Sequence, residues 1–552
     1  VNNMRSNVIT EIILKDDLQT SSTLVWLGTG IGASVIINSD TVEAIPYTSG
    51  IANSLSTSSA DTTTNRLPEG GISAMAAGND GTLFIAFAGS ENDIPVGQGF
   101  ALTSNASAFK ASDSTINWTY FNQQIENNDI PYFEFWQFKS EALPITVPHQ
   151  NVTYDIALSH LDEDTSYAYT ASWAGGLRRL KFENEYNSNG DIIGIIPIKW
   201  ERVPLPMDNQ FKLNTCELTS YDTVPDPYDP PNEMLILKDY YFNPRDPIDG
   251  GNHNHKVFSI LTYGDTIWVG TANGINRGIF GGYSQIFGYC INWEHYSYPE
   301  YNLSGNFVVG LALQMHKGKR VIWAATVNAD DPTEQRGVSY TTNDGLSWNT
   351  ALLGERVYNI TAEDSLVFAA TANGLWMTED GINWAKYKPA QQHTPYSTDE
   401  ILANEVYSVA FDTSDTSIWI GTGDGVAHSY DLDGLDWKIF RAEYDIDEDY
   451  AYPNPFSPYT HNVLGGDGYV RFHTNEWSGS SEIKLDVYNF AMEKVFAGSF
   501  DRTATSSGAL KWNGRDMEGR LVNNGVYFVK ITYPEGYNIK PSPHWVKLIV
   551  VK

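Results

Sequence analysis

The segment Trp268-Val-Gly-Thr-Ala-Asn-Gly274 runs from an apolar strand straight into a turn of small residues, and near copies of it recur along the chain. They are Trp26-Leu-Gly-Thr-Gly30, Phe368-Ala-Ala-Thr-Ala-Asn-Gly374 and Trp419-Ile-Gly-Thr-Gly-Asp-Gly425, with weaker versions at Phe84-Ile-Ala-Phe-Ala-Gly89, Tyr169-Thr-Ala-Ser-Trp-Ala-Gly175 and Trp323-Ala-Ala-Thr326. Seven such copies mark a repeat architecture, which governs every local reading of the chain. The repeat also disposes of a tempting motif. Gly28-Thr-Gly-Ile-Gly32 looks like a nucleotide loop, but Gly270-Thr-Ala-Asn-Gly274 and Gly421-Thr-Gly-Asp-Gly425 repeat it without a βαβ context.

Ahead of most later copies lies an alternating strand: Val257-Phe-Ser-Ile260, Phe307-Val-Val-Gly-Leu311, Val357-Tyr-Asn-Ile360 and Val406-Tyr-Ser-Val-Ala-Phe411. Behind most copies lies a strand carrying Trp: Ile116-Asn-Trp118, Ile291-Asn-Trp293, Leu346-Ser-Trp348, Ile382-Asn-Trp384 and Leu435-Asp-Trp437. Each unit reads strand, strand with Gly turn, strand, strand with Trp. The later units recur roughly every 45 to 55 residues, the period of four-stranded propeller blades. The fold class expected is therefore all-β: a seven-bladed β-propeller ending near Phe440 and followed by a small β-sandwich. Small residues on the second strand suit blades that crowd around a central channel. Trp293, Trp348, Trp384 and Trp437 are expected at equivalent positions, filling the wedge between blades. Eight blades is the alternative count, because the insertion from Met207 to Lys256 contains Met234-Leu-Ile-Leu237.

Thr341-Thr-Asn-Asp-Gly-Leu-Ser-Trp348 resembles the Asp-box of sialidase-type and sortilin-type propellers, and Thr378-Glu-Asp-Gly-Ile-Asn-Trp384 and Asp431-Leu-Asp-Gly-Leu-Asp-Trp437 resemble it more loosely. The resemblance implies a hairpin in which a carboxylate or amide caps backbone donors while Trp anchors the turn. It implies no chemistry, since a hairpin of this kind serves enzymes, receptors and scaffolds alike. Two long insertions, Gly89 to Asn151 and Met207 to Lys256, are read as loop for much of their length; the second carries Val224-Pro-Asp-Pro-Tyr-Asp-Pro-Pro231. Loops of this length on a rigid scaffold are the first place to look for partner contacts.

With 67 acidic against 35 basic side chains in 552 residues, the net charge of -32 disfavours nucleic acid and anionic membrane surfaces as partners. No apolar run is long enough to span a bilayer as a helix. The chain opens at Val1 without a basic and apolar leader, which fits a processed export product or a trimmed chain. Cys216 and Cys290 are the only cysteines, too few for a disulfide scaffold, a four-thiolate zinc site or a cysteine-held iron–sulfur cluster. They are expected to pair if the protein is exported and their blades are adjacent.

After Phe440 the pattern changes. The propeller is assigned to residues 1–442, an acidic linker to 443–451 and a sandwich to 452–552, where short strands alternate with Gly/Asn turns. Tyr452-Pro-Asn-Pro-Phe456, Val487-Tyr-Asn489, Trp512-Asn-Gly-Arg-Asp516 with Gly519, Asn524-Gly-Val-Tyr-Phe528 and the terminal Lys547-Leu-Ile-Val-Val-Lys552 follow in order. The set resembles the type IX secretion C-terminal sorting domain, and equally the immunoglobulin-like domain of the flagellar hook-capping protein. What this resemblance implies is export across two bacterial membranes and display or release at the surface. Sorting domains are removed on attachment, so a retained one implies a structural or docking module.

No Gly-x-Ser-x-Gly, His-Glu-x-x-His or Cys-x-x-Cys occurs. Arg178, Arg179, Arg277, Arg320 and Arg336 are scattered without the clustering that sialidase-like binding of a substrate carboxylate needs. His253-Asn-His255 reads as a polar loop, with a transition-metal grip as the alternative. Asp445, Asp447 and Asp449 have the alternate spacing of a calcium loop's opening, without the Gly and bidentate Glu that complete one. They are the expected metal ligands, with calcium as the ion they would take and a plain acidic linker as the alternative. No catalytic or cofactor-binding residue is nominated. The function expected is that of a secreted or cell-surface binding or scaffolding protein, holding a protein or glycan partner through propeller-face loops within an extracellular complex. The alternative is a carbohydrate-active hydrolase or lyase with carboxylates at the propeller mouth.

Overall fold

The computed structural model describes residues 4–552 apart from segments 17–22, 49–62, 109–115, 124–131, 143–150, 161–165, 189–191, 218–220, 226–232, 243–252, 285–287, 388–390, 394–397, 433–436, 443–448, 463–467, 474–481, 502–509 and 534–542, and apart from short stretches of one or two residues. Among the described residues every regular element is a strand except a single 3₁₀ turn at Ala106–Ala108. The chain is all-β and falls into two compact units. One holds Thr10–Ala370 and Met377–Trp384, the other Asn2–Ile9, Thr371–Trp376 and Ala385–Lys552.

The repeat is a four-stranded antiparallel meander, the blade of a β-propeller. In one copy, Val257–Tyr263, Thr266–Thr271, Gly274–Ser284 and Gly288–Tyr296 pair in sequence order. The same order recurs over residues 9–44, 71–121, 153–202, 307–351, 357–386 and 406–440, so the described residues hold seven meanders. The sequence copies mark the second strand of each. Their Thr explains the turn that follows: the hydroxyl of Thr271 donates to Gly274 O (3.2 Å) and accepts from Asn273 N–H (3.0 Å). Thr29, Thr371 and Thr422 make the same pair of bonds two and three residues on. A hydroxyl that staples its own turn is what an ST-turn supplies, which is why Thr recurs there.

First strands contact one another from one meander to the next within the larger unit. Five first strands slip by one residue against the second strand at a matching place, at Ser73, Tyr154, Phe258 and Val309, and at Tyr407 in the smaller unit. A bulge bends the strand and re-aims the extra side chain. The neighbouring first strand then lies so close that a Cβ on Gly270 would stand 2.6 Å from Val308 Cγ1, so Gly is required on the second strand at that point.

Trp348, Trp384 and Trp437 directly precede the fourth strands of their meanders, and Trp293 lies inside its fourth strand. Trp118 opens another. Trp26 meets Trp118 edge to face at 6.2 Å, and Trp268 meets Trp348 likewise at 6.1 Å, in each case across successive meanders. The tryptophans do pack between repeats. Cys216 and Cys290 form a disulfide with Cα atoms 5.2 Å apart.

The two insertions are not loop throughout. Tyr132–Phe135 and Phe138–Ala142 from the first pair with Tyr221–Pro225 and Glu233–Phe242 from the second in one four-stranded sheet, whose middle pair is parallel. Met234-Leu-Ile-Leu237 lies in that sheet, outside the meander series.

At the C-terminus, Tyr450–Tyr452, Val470–His473 and Lys511–Trp512 form a three-stranded sheet, and Lys494–Asp501, Glu482–Tyr488, Gly525–Thr532 and His544–Val550 a four-stranded one. Both give residues to one core that includes Phe456, Phe472, Leu485, Trp512, Val529 and Leu548. The ordered motifs are the clamps of this core. Asn454 donates to Lys547 O (2.8 Å) and accepts from Ile549 N–H (2.9 Å), holding the last strand. Trp512 Nε1 donates to Arg515 O (2.8 Å), and Asp516 Oδ1 accepts from the N–H groups of Glu518 and Arg520 (both 2.9 Å).

Candidate functional site

Asp445 and Asp447 lie outside the described residues. Asp449 is described, and its Oδ2 accepts from Tyr533 OH (3.1 Å) and sits 2.6 Å from His544 Nδ1, nearly excluded from solvent. Among the described residues no group of three or more His, Cys, Asp or Glu is placed to hold a metal. The His253-Asn-His255 segment serves a structural purpose. Asp208 accepts from the N–H groups of His253 (2.9 Å) and Asn254 (2.6 Å), and the buried Asn254 amide bridges Pro206 O and Thr271. His255 packs onto the Cα of Gly176. Burial, followed by the charges of Arg202, Arg178 and Lys256, holds its imidazole well below the ordinary histidine range. A cation-rich pocket of this kind repels a metal ion.

The scattered arginines are engaged one by one. Arg179 pairs with Glu201 (2.9 Å) in the interior, Arg320 forks onto Asp344 (3.0 and 2.5 Å), Arg277 reaches Glu294 (3.5 Å) and Arg336 donates to Gly354 O (2.6 Å). These pairs tie hairpins together and do not converge. The Asp-box turns behave similarly. Asp380 Oδ1 accepts from Ile382 N–H (2.8 Å) and Asn383 N–H (2.7 Å), and those bonds bring its carboxyl down to about 2. In the first copy the capping group is Asn343, which accepts from Ser347 N–H (2.9 Å).

The meanders bring together a group that no spacing announced. The bulge residues Tyr154 and Phe258 stand 5.3 Å apart, Phe258 and Phe307 4.3 Å, and Trp173, from the turn between second and third strands, lies 5.6 Å from Phe258 and 6.0 Å from Phe307. Lys256 Nζ sits over the Trp173 ring at 4.8 Å. Tyr154 is 41% exposed and Trp173 and Phe307 are half-buried, so the cluster is a surface. The signal available in sequence was the aromatic that follows Val in Val257-Phe, Val357-Tyr and Val406-Tyr, but nothing in sequence marks a bulge.

Two carboxylates lie on first strands, Glu11 on Ile9–Asp16 and Asp155 one residue beyond the bulge at Tyr154. Asp155 accepts from Ile156 N–H and from Ile260 N–H in the next meander (both 2.7 Å). Burial and then the charge of Asp155 push the Glu11 carboxyl up to about 8, and burial pushes Asp155 up to about 7. In the smaller unit, Asp424 in the last meander's turn is buried between Arg441 (3.1 Å) and Arg471 (2.9 Å), the latter on Val470–His473 of the sandwich. A cleft of about 190 Å³ beside it is lined by Tyr407, Tyr452, His461 and Asn462 among others.

No family model matches the chain, and no curated protein matches it. Among solved structures it is similar to PorZ, a bacterial surface component of the type-IX secretion system of Porphyromonas gingivalis (10% identity, 100% of each chain covered, TM-score 0.20). It is also similar to YCF48 from Cyanidioschyzon merolae (12% identity, 77% of this chain and 95% of that one, TM-score 0.35). Sqt1 from Chaetomium thermophilum is a third (9% identity, 67% and 86% covered, TM-score 0.35). Likenesses this distant say nothing of what the chain binds.

Proposed function

We propose that this chain is a secreted or cell-surface binding protein: a seven-bladed propeller over residues 1–442 that holds a protein or glycan partner on one face, joined through the acidic linker 443–451 to an immunoglobulin-like module over 452–552 that serves display or docking. The observation that carries the reading is the Tyr154–Trp173–Phe258–Phe307 surface with Lys256 over it, an aromatic and cationic platform of the kind that supplies contact area at low entropic cost. Closure after seven blades is supported by one recurring bond. Ser259 Oγ donates to Val308 O of the next first strand (3.1 Å), and Ser408 Oγ in the last meander donates to Ile9 O of the first (3.4 Å). Export is supported by the disulfide, since oxidising compartments preserve such pairs.

The platform is tested by Trp173→Ala combined with Tyr154→Ala. Partners retained by the wild-type protein from its native source, and binding on a glycan array, are expected to be lost together in the double variant. Retention unchanged by the variant overturns the reading. The hydrolase or lyase alternative draws on Glu11 and Asp155, whose raised carboxyls suit proton transfer. Incubation with glycan mixtures separates the two: product formation that Glu11→Gln abolishes favours the enzyme.

A further inference from the structure

In the four-stranded sheet of the sandwich, Leu485, Val487, Val529 and Leu548 turn inward to the core. The alternate positions face outward, and a sheet packed on one side ordinarily carries polar residues there. This one carries rings. Register places Tyr488 opposite Phe528, Phe528 opposite Lys547, and Lys530 opposite Trp545. The Tyr488 and Trp545 rings are 5.6 Å apart, and Phe490, in the turn after Tyr488, lies 6.4 Å from Phe528. Phe490 is 77% and Trp545 49% exposed. Lysines rim the strip around the carboxylate of Asp486: Lys494, opposite Tyr488, has its Nζ 5.6 Å over that ring and 3.0 Å from Asp486 Oδ1, Lys530 stands opposite Asp486, and Lys547 lies opposite Phe528. A contiguous apolar strip on a solvated sheet face is a mark of an interaction surface.

The charge of the chain says what would cover it. Residues 451–552 carry 11 basic and 9 acidic side chains, against 24 and 58 in residues 1–450. We infer that the outer face of this sheet, through Tyr488, Phe490, Phe528 and Trp545 with Lys494, Lys530 and Lys547, is a docking surface for an acidic protein. An anionic lipid surface presents the same headline chemistry, but its extended field repels a chain of net charge -32. A local acidic patch on a protein acts within a Debye length of about 8 Å and meets only the lysine rim. This surface is separate from the propeller platform and does not depend on it.

The test uses the full chain and an acidic aromatic polypeptide, a glutamate–tyrosine copolymer, as probe. Binding by surface plasmon resonance is expected to weaken as salt rises, and to fall about tenfold in Lys494→Glu/Lys530→Glu/Lys547→Glu through loss of charge complementarity. Phe490→Ser/Trp545→Ser, which leaves every charge in place, is expected to fall comparably, and Lys319→Glu, at an exposed lysine outside both surfaces, to bind as the wild type does. Far-UV circular dichroism melting confirms that each variant is folded. The inference is overturned if the lysine or aromatic variants bind the copolymer unchanged, if Lys319→Glu weakens binding as much as they do, if phosphatidylglycerol vesicles are bound in preference to the copolymer, or if the wild type self-associates and the variants are monomeric.

Discussion

Trp323 and Trp384 belong to successive meanders, yet their rings meet edge to face with centroids 6.0 Å apart and an interplanar angle of 87°. Trp323 also stacks on Tyr340 at 4.6 Å and donates through Nε1 to Gln314 Oε1 (3.0 Å). The Gly of the Asp-box-like turn completes the fit: Gly381 has φ of +76°, and a Cβ there would stand 2.8 Å from Trp323 Cη2. Trp323→Ala removes the ring and strands Gln314, and is expected to cost about 3–5 kcal/mol. Gly381→Ala pushes a methyl onto the same ring in a left-handed backbone and is expected to lower stability by about 1–3 kcal/mol. Urea unfolding of the two variants measures both.

Glu11 makes stability depend on pH in a predictable sense. Its carboxyl titrates near 4.5 in an open chain and is pushed up to about 8 when folded. The folded state therefore binds the proton more tightly, so the stability tied to this group is complete below pH 4.5 and is lost as pH rises through 8. Glu11→Gln fixes the neutral form. The variant is expected to melt higher than the wild type at pH 8 and to converge with it near pH 4. A melting temperature series across that range checks the sign, and a variant that melts lower at pH 8 contradicts it.

Asp424 ties the last meander to the sandwich. Its carboxylate lies between Arg441 and Arg471, and the sandwich contributes Arg471. Removing one partner of a buried pair leaves the other charge uncompensated, at a cost of about 3–5 kcal/mol where burial is complete. Arg471 is 22% exposed at its side chain, so the cost of Arg471→Ala is expected below that range. The expected signature is earlier melting of the sandwich and faster protease cleavage within 443–448. Arg471 meets both carboxylate oxygens through one nitrogen, Nη1 (2.9 and 3.2 Å), so Arg471→Lys keeps the charge and is expected to lie between the wild type and Arg471→Ala.

What was legible in the sequence and what was not divides on physical grounds. Each meander carries its own strand, Thr-stapled turn and Trp within a few dozen residues, so the repeat shows in the chain itself. The sandwich motifs were legible for the same reason, although the reach of Asn454 to Lys547 was not. Groups assembled from residues far apart in the chain left no trace. Asp424 finds Arg471 47 residues away, and Asp449 finds His544 95 residues away. The sheet formed by the two insertions joins strands from opposite sides of a whole meander, so each read alone as loop for much of its length, and Met234-Leu-Ile-Leu237 only as a place where strands could hide. Trp173 was read only as part of a weak repeat copy, because the bulges that bring Tyr154 and Phe258 to it carry no residue signature.

Reduction of the Cys216–Cys290 bond opens a loop of 74 residues, and with it the constraint on the unfolded chain. Cys216→Ser/Cys290→Ser is expected to cost about 2–4 kcal/mol. Thermal melting with and without reductant checks this: the wild type falls on reduction, and the double variant does not respond.

The calcium reading of the linker is best tested at Asp445 and Asp447 and not at Asp449. Asp449 holds His544 and Tyr533 inside the sandwich, so Asp449→Ala weakens the module whether or not an ion binds, and its effect on stability identifies nothing. Asp445→Ala/Asp447→Ala leaves those bonds in place and removes two of the three carboxylates whose mutual repulsion an ion would relieve. If calcium pins the linker, an excess of about tenfold over its dissociation constant stabilises the wild type by about 1.4 kcal/mol, and the pair of substitutions abolishes that gain. The melting temperature of the wild type is then expected to fall on chelation and that of the variant to stay where it is. Equal melting of the wild type with calcium and with chelator identifies the segment as a solvated acidic linker.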